Sequence, residues 1–221
     1  MMSVPKRSAK IRSMFGIQEF HIFLTTAIIL NITPGADTIY IIGRSVTQGR
    51  LAGVASVLGI STGSLVHTFF SATGLSALLL ASAWAFAVIK FLGAGYLIYL
   101  GLKMLLTRSN SDRIPTDFQS SGFFSIFRQG FYTNILNPKV ALFFLALVPQ
   151  FISLDSPSKF VSFIILGLSF VITGTIWCLL IVLISTWCSH KLKPSSPMSR
   201  FLNRVTGGVF IGLGVKVAAT N

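Results

Sequence analysis

Two ionisable side chains inside long apolar runs are the groups of this sequence best placed to do chemistry. Asp37 lies in an apolar run at residues 20–42, and Lys139 lies in another at residues 123–151. A charge at the centre of a bilayer costs roughly 2.5–3.5 kcal/mol on insertion scales, so it marks a functional site by default. Asp37 can bind a substrate ammonium, carry a proton or pair with Lys139. Lys139 can pair with Asp37 or bind a substrate carboxylate, so the two together predict a site for an amino acid.

Each of these residues follows a helix-breaking signal. Pro34 and Gly35 precede Asp37, and Asn137-Pro138 precedes Lys139. Proline removes a backbone donor and clashes with the preceding turn, and glycine accepts almost any backbone angle. We therefore predict two broken helices, whose free N–H groups favour an anion. The predicted substrate- and proton-binding residues are Asn31, Pro34, Gly35, Asp37, His67, Asn134, Asn137, Pro138 and Lys139.

The composition predicts an integral membrane protein. Of the 221 residues, 52% are hydrophobic and 10% are charged, whereas soluble domains carry about 25% charged residues. The mean hydropathy is +0.78. The net charge of +13 raises nucleic acid as a partner, but the Lys and Arg residues lie at the edges of apolar runs, where they orient membrane helices. We therefore predict the lipid bilayer as a partner, and no nucleic acid.

Six apolar runs reach the length of about 20 residues that a transmembrane helix needs. We predict an all-α, polytopic membrane protein with helices at residues 18–42, 51–73, 84–106, 123–151, 159–187 and 201–218. A polar linker, 107–122, separates a first three-helix repeat, 14–106, from a second, 123–221. Because three is odd, the second repeat is inverted relative to the first. Broken helices 1 and 4 then meet near the bilayer midplane, a recurrent transporter design.

Residues 1–13 form a basic N-terminal extension ahead of the first apolar run. That run is too long for the core of a signal peptide, and no small-x-small site closes it. We expect an uncleaved first span. Met14 begins a stretch with the character of a translation start, so a further hypothesis is that residues 1–13 are not translated.

Other chemistries are less well supported by the residues. Residues 59–63 match G-x-S-x-G, but the nucleophile elbow needs a strand-to-helix turn, and here Ser61 lies in a predicted apolar helix. We therefore predict no enzyme and no catalytic residue. Cys178 and Cys188 are too far apart for a C-x-x-C pair, and we interpret them as buried thiols. The histidines and Glu19 show no metal-ligand spacing, so neither a metal nor a cofactor is predicted.

Small residues recur at helical spacing and predict close helix packing. Gly59 and Gly63 form a G-x-x-x-G face in predicted helix 2, and Gly208 and Gly212 repeat it in predicted helix 6. Such faces pack inside one bundle or form a contact in a homo-oligomer. His67 shares the face of Gly59 and Gly63, and it is either a proton relay or a hydrogen-bonded packing residue.

An ordered set of motifs extends this pattern along nearly the whole chain. The motifs are residues 31–37, Gly43-Arg44, Gln48-Gly49, Gly59, Gly63, His67, residues 93–101, Gly130-Phe131, Asn134, Asn137-Pro138-Lys139, Phe143-Phe144 and Pro149-Gln150-Phe151. Over residues 14–218 the chain resembles the LysE/RhtB family of bacterial amino-acid exporters. The resemblance implies export of amino acids or derivatives, coupling to the proton gradient, and residence in the bacterial inner membrane. The first break of that family reads Pro-Gly-Pro-Asp, and this chain has Ala36 in place of the second proline.

We therefore predict a secondary-active exporter that works by alternating access around two broken helices. The expected partners are protons, the bilayer, and a substrate such as threonine, homoserine, homoserine lactone, lysine or arginine. One alternative is a metal-cation exporter of a related family, although a single intramembrane acid provides few ligands for a metal cation. The others are a membrane redox or hydrolytic protein, and a scaffolding membrane protein, which needs neither the broken helices nor Asp37.

Overall fold

The computed structural model describes residues 15–106, 119–153 and 155–187, together with Gly208, Ile211, Gly212 and Val215. The last four residues are helical and fall within predicted helix 6. The predicted extension at 1–13, residues 107–118 of the predicted linker and the rest of helix 6 lie outside the described residues.

The described part of the chain is built from helices. Those with defined bounds are α1 (Phe20–Ile32), α2 (Ala36–Phe70), α3 (Ser76–Ala81), α4 (Ala83–Leu106), α5 (Phe123–Ile135), α6 (Pro138–Leu142) and α7 (Lys159–Trp187). A π-helical turn, Ser71–Leu75, joins α2 to α3, and a second one, Phe143–Leu147, extends α6 into the 3-10 turn Val148–Phe151. The predicted all-α class is confirmed, since strand pairing in these residues is limited to one isolated bridge between Ile17 and Ile152.

Helix α2 reverses direction at Gly49. Gly49 has φ 81° and ψ −172°, a backbone geometry that glycine adopts without the steric cost of a Cβ atom. A Cβ atom on Gly53 would overlap Ser45 Oγ, although these residues would lie about 12 Å apart along a straight helix. Residues 36–48 and 50–70 are therefore antiparallel neighbours. Residues 36–48 form the second half of the broken first helix, which extends beyond its predicted end at residue 42.

The helices have the length and composition of a polytopic membrane protein, as predicted. By length and composition, Ala36–Leu78 and Lys159–Trp187 each qualify as a membrane-crossing segment. The reversal at Gly49 divides the first of these into the end of the broken first helix and a separate helix that begins at residue 50. Phe123–Ile135 and Pro138–Phe151 together form a third candidate span, bent by 48°. The two inverted three-helix repeats stay a prediction, because most of predicted helix 6 lies outside the described residues.

Two buried clusters fill the helix bundle. The aromatic cluster includes Phe23, Phe143, Phe144, Phe151, Phe163 and Phe170. The Tyr40 cluster consists of Tyr40, Ile41, Ala52, Ala55, Val57, Ile60, Ile126, Ile181 and Val182. The first cluster joins α1, the α6 extension and α7, and the second joins both halves of α2 to α5 and α7.

Glycines let α2 approach the backbone of α5. A Cβ atom on Gly59 would overlap the carbonyl oxygen of Phe127 and lie 2.8 Å from the backbone nitrogen of Phe131. A Cβ atom on Gly63 would lie 2.8 Å from Asn134 Oδ1. The predicted G-x-x-x-G face of α2 therefore packs inside the bundle.

We expect Gly59→Ala to destabilise the protein by about 1–3 kcal/mol, the range for overpacking a close contact, because neither backbone can yield as a side chain can. Thermal unfolding in detergent measures the loss. Gly95→Ala is the matched control, since Gly95 lies in α4 with no atom within 4 Å of its added Cβ. An equal melting temperature for Gly59→Ala and wild type would contradict the close packing of α2 on α5.

Candidate functional site

The first break lies between α1 and α2. Helix α1 ends at Ile32, its C-cap Thr33 has an extended backbone, and Pro34 follows without a backbone donor to continue the helix. Gly35 is extended and is the N-cap of α2 without a side-chain cap bond. Ala36 therefore begins α2, and Asp37 lies in its first turn, where the free N–H groups of the helix favour a negative charge.

The second break lies between α5 and α6. Asn137 is the N-cap of α6, and its Oδ1 accepts a hydrogen bond of 3.1 Å from the backbone N–H of Lys139. Pro138 occupies the first helical position, where a proline is pre-organised and its missing donor has no cost. The local sequence Asn-Pro thus ends one helix and begins the next within two residues.

Lys139 caps the carboxyl end of α1 from a different helix, α6. Its Nζ donates hydrogen bonds of 2.8 Å to the carbonyl oxygens of both Leu30 and Thr33. The last carbonyls of a helix lack intrahelical partners, so a buried helix end inside a membrane needs such a donor. The ammonium also lies 3.6 Å from the position of a Cβ atom on Gly35, directly beside the first break.

Asn134 links Asp37 to the second half of α2. Its Nδ2 donates a hydrogen bond of 2.8 Å to Asp37 Oδ2, and its Oδ1 accepts one of 3.2 Å from Ser64 Oγ. His67 Nε2 lies 3.4 Å from the carbonyl oxygen of Asn134, and its ring stacks on Phe144 with centroids 5.8 Å apart. Asn134 is itself buried, with 1% of its surface exposed, so this network is an internal connection between the two breaks.

The other oxygen of Asp37 is available to a ligand. Asp37 Oδ1 is buried and has no hydrogen-bond partner, and Asp37 lines a cavity of about 40 Å³. The residues around the cavity are Asn31, Gly35, Asp37, Thr38, Ile60, Ser61, Ser64, Asn134, Asn137, Lys139, Val140, Phe170, Val171, Gly174, Thr175 and Cys178. This space holds a few water molecules and is far smaller than the roughly 300–1,000 Å³ of ligand pockets. The cavity in this structure therefore has room for water but not for a ligand of ordinary size.

Helix α7 supplies the wall of the cavity opposite the breaks. Asn31 Nδ2 donates to Thr173 Oγ1 at 3.1 Å and to the carbonyl oxygen of Phe170 at 3.3 Å. Gly174 allows this approach, because a Cβ atom there would lie 3.0 Å from Asn31 Oδ1. Asn31 therefore holds the last turn of α1 against α7.

The structure brings most of the predicted site residues to one place. Six of the nine line the cavity: Asn31, Gly35, Asp37, Asn134, Asn137 and Lys139. Pro34 and Pro138 form the breaks beside it. His67 reaches the network through the backbone of Asn134 without lining the cavity.

The prediction did not include the hydroxyl and thiol groups around the cavity. Ser64, Thr175 and Cys178 all line it, although Cys178 was interpreted as a buried thiol. A signal for the α7 wall was present in Thr173-Gly174-Thr175, three consecutive small or hydroxyl residues near the middle of a largely apolar run. Ser61 lies within α2 and bonds Thr175 Oγ1 at 2.7 Å. Its setting is a helix, as predicted, and not the strand-to-helix turn of a nucleophile elbow.

A polytopic helical protein whose two broken helices meet at a charged cavity has the architecture of a membrane translocator. The sequence model of the LysE type translocator family matches residues 28–221, and the chain belongs to this family. The predicted relation to the LysE/RhtB exporters is thereby confirmed. The chain is a multi-pass membrane protein, and the inner (plasma) membrane is the usual location of such proteins in bacteria.

The chain is similar over most of its length to bacterial membrane proteins. It is 32% identical over 202 residues to the uncharacterized membrane protein YrhP of Bacillus subtilis (strain 168), covering 88% of this chain and 95% of that protein. It is 27% identical to a leucine efflux protein of Salmonella choleraesuis (strain SC-B67), over 92% of this chain and 96% of that protein. A leucine efflux protein of Klebsiella pneumoniae is 24% identical, with the same coverage of each chain. No solved structure matches the chain.

Proposed function

We propose that this translocator is a secondary-active exporter of neutral aliphatic amino acids. The observation that carries the proposal is the pair of opposite charges on one cavity, with Asp37 on one broken helix and Lys139 on the other. Asp37 Oδ1, which has no partner, binds the substrate ammonium. The ammonium of Lys139 and the uncapped N-terminus of α2 at Gly35 bind the substrate carboxylate.

The lining of the cavity favours a neutral, aliphatic side chain. Ile60, Val140, Phe170 and Val171 contribute apolar surface. Asp37 is the one acid among the described lining residues, and in this proposal it is occupied by the α-ammonium. A lysine or arginine side chain would then place a second cation against apolar groups, which is costly without a partner. Among the substrates that the family resemblance implies, the neutral ones fit, and the leucine efflux relatives support the same class.

Transport requires the cavity to enlarge and open to each side in turn. Proton coupling follows if Asp37 exchanges the substrate ammonium for a proton during the return step, since one carboxylate oxygen cannot hold both. In this scheme Asn134 keeps Asp37 Oδ2 in place through its hydrogen bond of 2.8 Å while Oδ1 exchanges its ligand.

Efflux from proteoliposomes tests the proposal. We expect purified protein to release labelled leucine about tenfold or more faster than labelled lysine, because a buried, unpaired charge costs at least about 1–3 kcal/mol. Acidification of the side that receives the substrate should accelerate leucine release, and a protonophore should remove that acceleration. Release of lysine at the rate of leucine would contradict the neutral substrate class. Leucine release that is indifferent to the pH gradient would contradict the coupling.

A further inference from the structure

Helix α7 shows that the cavity lies between two separate closures. Ser162, near its start, donates through Oγ to the carbonyl oxygen of Phe15. The cavity-lining residues of α7 run from Phe170 to Cys178. Val182, further along α7, packs against the reversal of α2. A Cβ atom on Gly53 would lie 2.7 Å from Val182 and would also contact Ser45. Ser162 and Val182 are about 30 Å apart along the helix axis, so the closures lie at opposite ends of the bundle.

The first closure is a polar contact between α2 and the start of α5. The buried Arg44, 3% exposed, donates from one guanidinium nitrogen to Gln129 Oε1 at 2.6 Å and from another to the carbonyl oxygen of Gln119 at 3.1 Å. Gln48 Nε2 donates to the same carbonyl oxygen at 3.0 Å. The guanidinium also lies over the ring of Tyr40, 5.7 Å from its centroid. These contacts hold the second half of broken helix 1 against the first half of broken helix 4.

The second closure joins the segment before α1 to the segment after the α6 extension. Ile17 pairs with Ile152 in an antiparallel bridge. Backbone N–H groups of Gln18 and Ser153 donate to the carbonyl oxygens of Phe151 and Gly16, both at 2.8 Å. Ser156 Oγ donates to the carbonyl oxygen of Phe15 at 3.0 Å. The contacts hold the first half of broken helix 1 against the second half of broken helix 4.

We propose that these two closures are the gates of the transport cycle, and that Arg44 and Gln129 form the gate at one end while residues 15–18, 151–153 and 156 form the gate at the other. Both gates join the same two broken helices, so release of one end lets the helices separate there while the other end holds. The Arg44 gate is suited to reversal, because a guanidinium that leaves its buried contacts gains hydration in exchange. Arg44 and Gln129 are therefore positioning residues that act on access to the cavity.

The inference rests on the proposed transport function, but its test does not require a substrate. Cys178 lines the cavity, and the chain has two cysteines, so the background Cys188→Ser leaves Cys178 as the single thiol. A membrane-impermeant maleimide, applied to right-side-out cells and to inside-out vesicles, then reports which face of the membrane reaches the cavity. If the labelling shows the two gates but the wild-type protein does not export leucine, the substrate proposal alone is contradicted.

We expect Gln129→Ala to raise the labelling rate of Cys178 from one face by about 10- to 150-fold, the range for loss of one hydrogen bond to a charged group. Gln129→Glu should lower it from that face, because a carboxylate strengthens the bond to Arg44. Ser156→Ala, at the other gate, should raise labelling from the opposite face. Gln129 is exposed, so size-exclusion profiles should match wild type. The proposal is overturned if Gln129→Ala and Ser156→Ala act on the same face, if either leaves labelling unchanged, or if Gln129→Glu raises it.

Discussion

Asp37→Asn should reduce export about 10- to 150-fold while the protein still folds. An asparagine at this position can still accept the hydrogen bond from Asn134 Nδ2 through its amide oxygen, so the 2.8 Å contact to Asp37 Oδ2 has a replacement. The charge that binds the substrate ammonium is lost, and a hydrogen bond to a charged group is worth about 1.5–3 kcal/mol. Efflux of labelled leucine from proteoliposomes with equal amounts of reconstituted protein measures the change.

The matched control for this variant is Asp155→Asn. Asp155 is exposed and lies in the segment before α7, so its neutralisation removes the same charge away from the cavity. We expect wild-type efflux from that control, and melting temperatures near wild type for both variants. Efflux by Asp37→Asn at half the wild-type rate or more would refute a role for the carboxylate in binding substrate or proton. A collapsed melting temperature would assign Asp37 to the stability of the break.

Lys139→Gln should impair both stability and export, in contrast to Asp37→Asn. Glutamine is shorter, uncharged and unable to reproduce the two 2.8 Å hydrogen bonds from Nζ to the carbonyl oxygens of Leu30 and Thr33. Carbonyls at the end of α1 would then lack their donor, and the loss of one charge-assisted bond is worth about 1.5–3 kcal/mol. Thermal unfolding in detergent measures the stability, and leucine efflux measures the function.

Arg50→Gln is the control for loss of a positive charge. Arg50 is exposed, and its Nε bonds Thr186 Oγ1 at a long 3.4 Å, so we expect little change in melting temperature. Wild-type stability of Lys139→Gln would show that water or another donor satisfies the carbonyls of α1. Normal export by that variant would exclude Lys139 from the substrate site proposed above.

Much of the helical framework follows from hydropathy. The predicted spans at 84–106 and 159–187 agree with α4 and α7 to within one residue, because long continuous apolar runs have few competing structures in a bilayer. The breaks were predictable for a similar local reason. Proline at position 34 or 138 cannot donate the backbone hydrogen bond that a continuous helix requires, so the identity of the residue alone predicts the interruption.

The connections within the site were not predictable in the same way. The partners of Lys139 are two backbone carbonyls, and every residue carries a carbonyl, so no side-chain pattern identifies them. Ser64 resembles the many helical hydroxyls that bond the carbonyl four residues earlier, as Thr62 does with Leu58. Its bond to Asn134 depends on how closely α2 approaches α5 at Gly63. The reversal at Gly49 falls between predicted helices 1 and 2, but hydropathy placed the end of the first helix too early, at residue 42.

The bond from Lys139 to the end of α1 has a consequence for biosynthesis. The ribosome finishes Thr33 long before it reaches Lys139, and at 5–20 residues per second the interval is roughly 5–20 s. During that time the carbonyls of Leu30 and Thr33 lack the donor that completes them in the folded protein. The first half of the nascent chain is thus an unfinished folding unit. A chain truncated before residue 139 would carry this defect permanently.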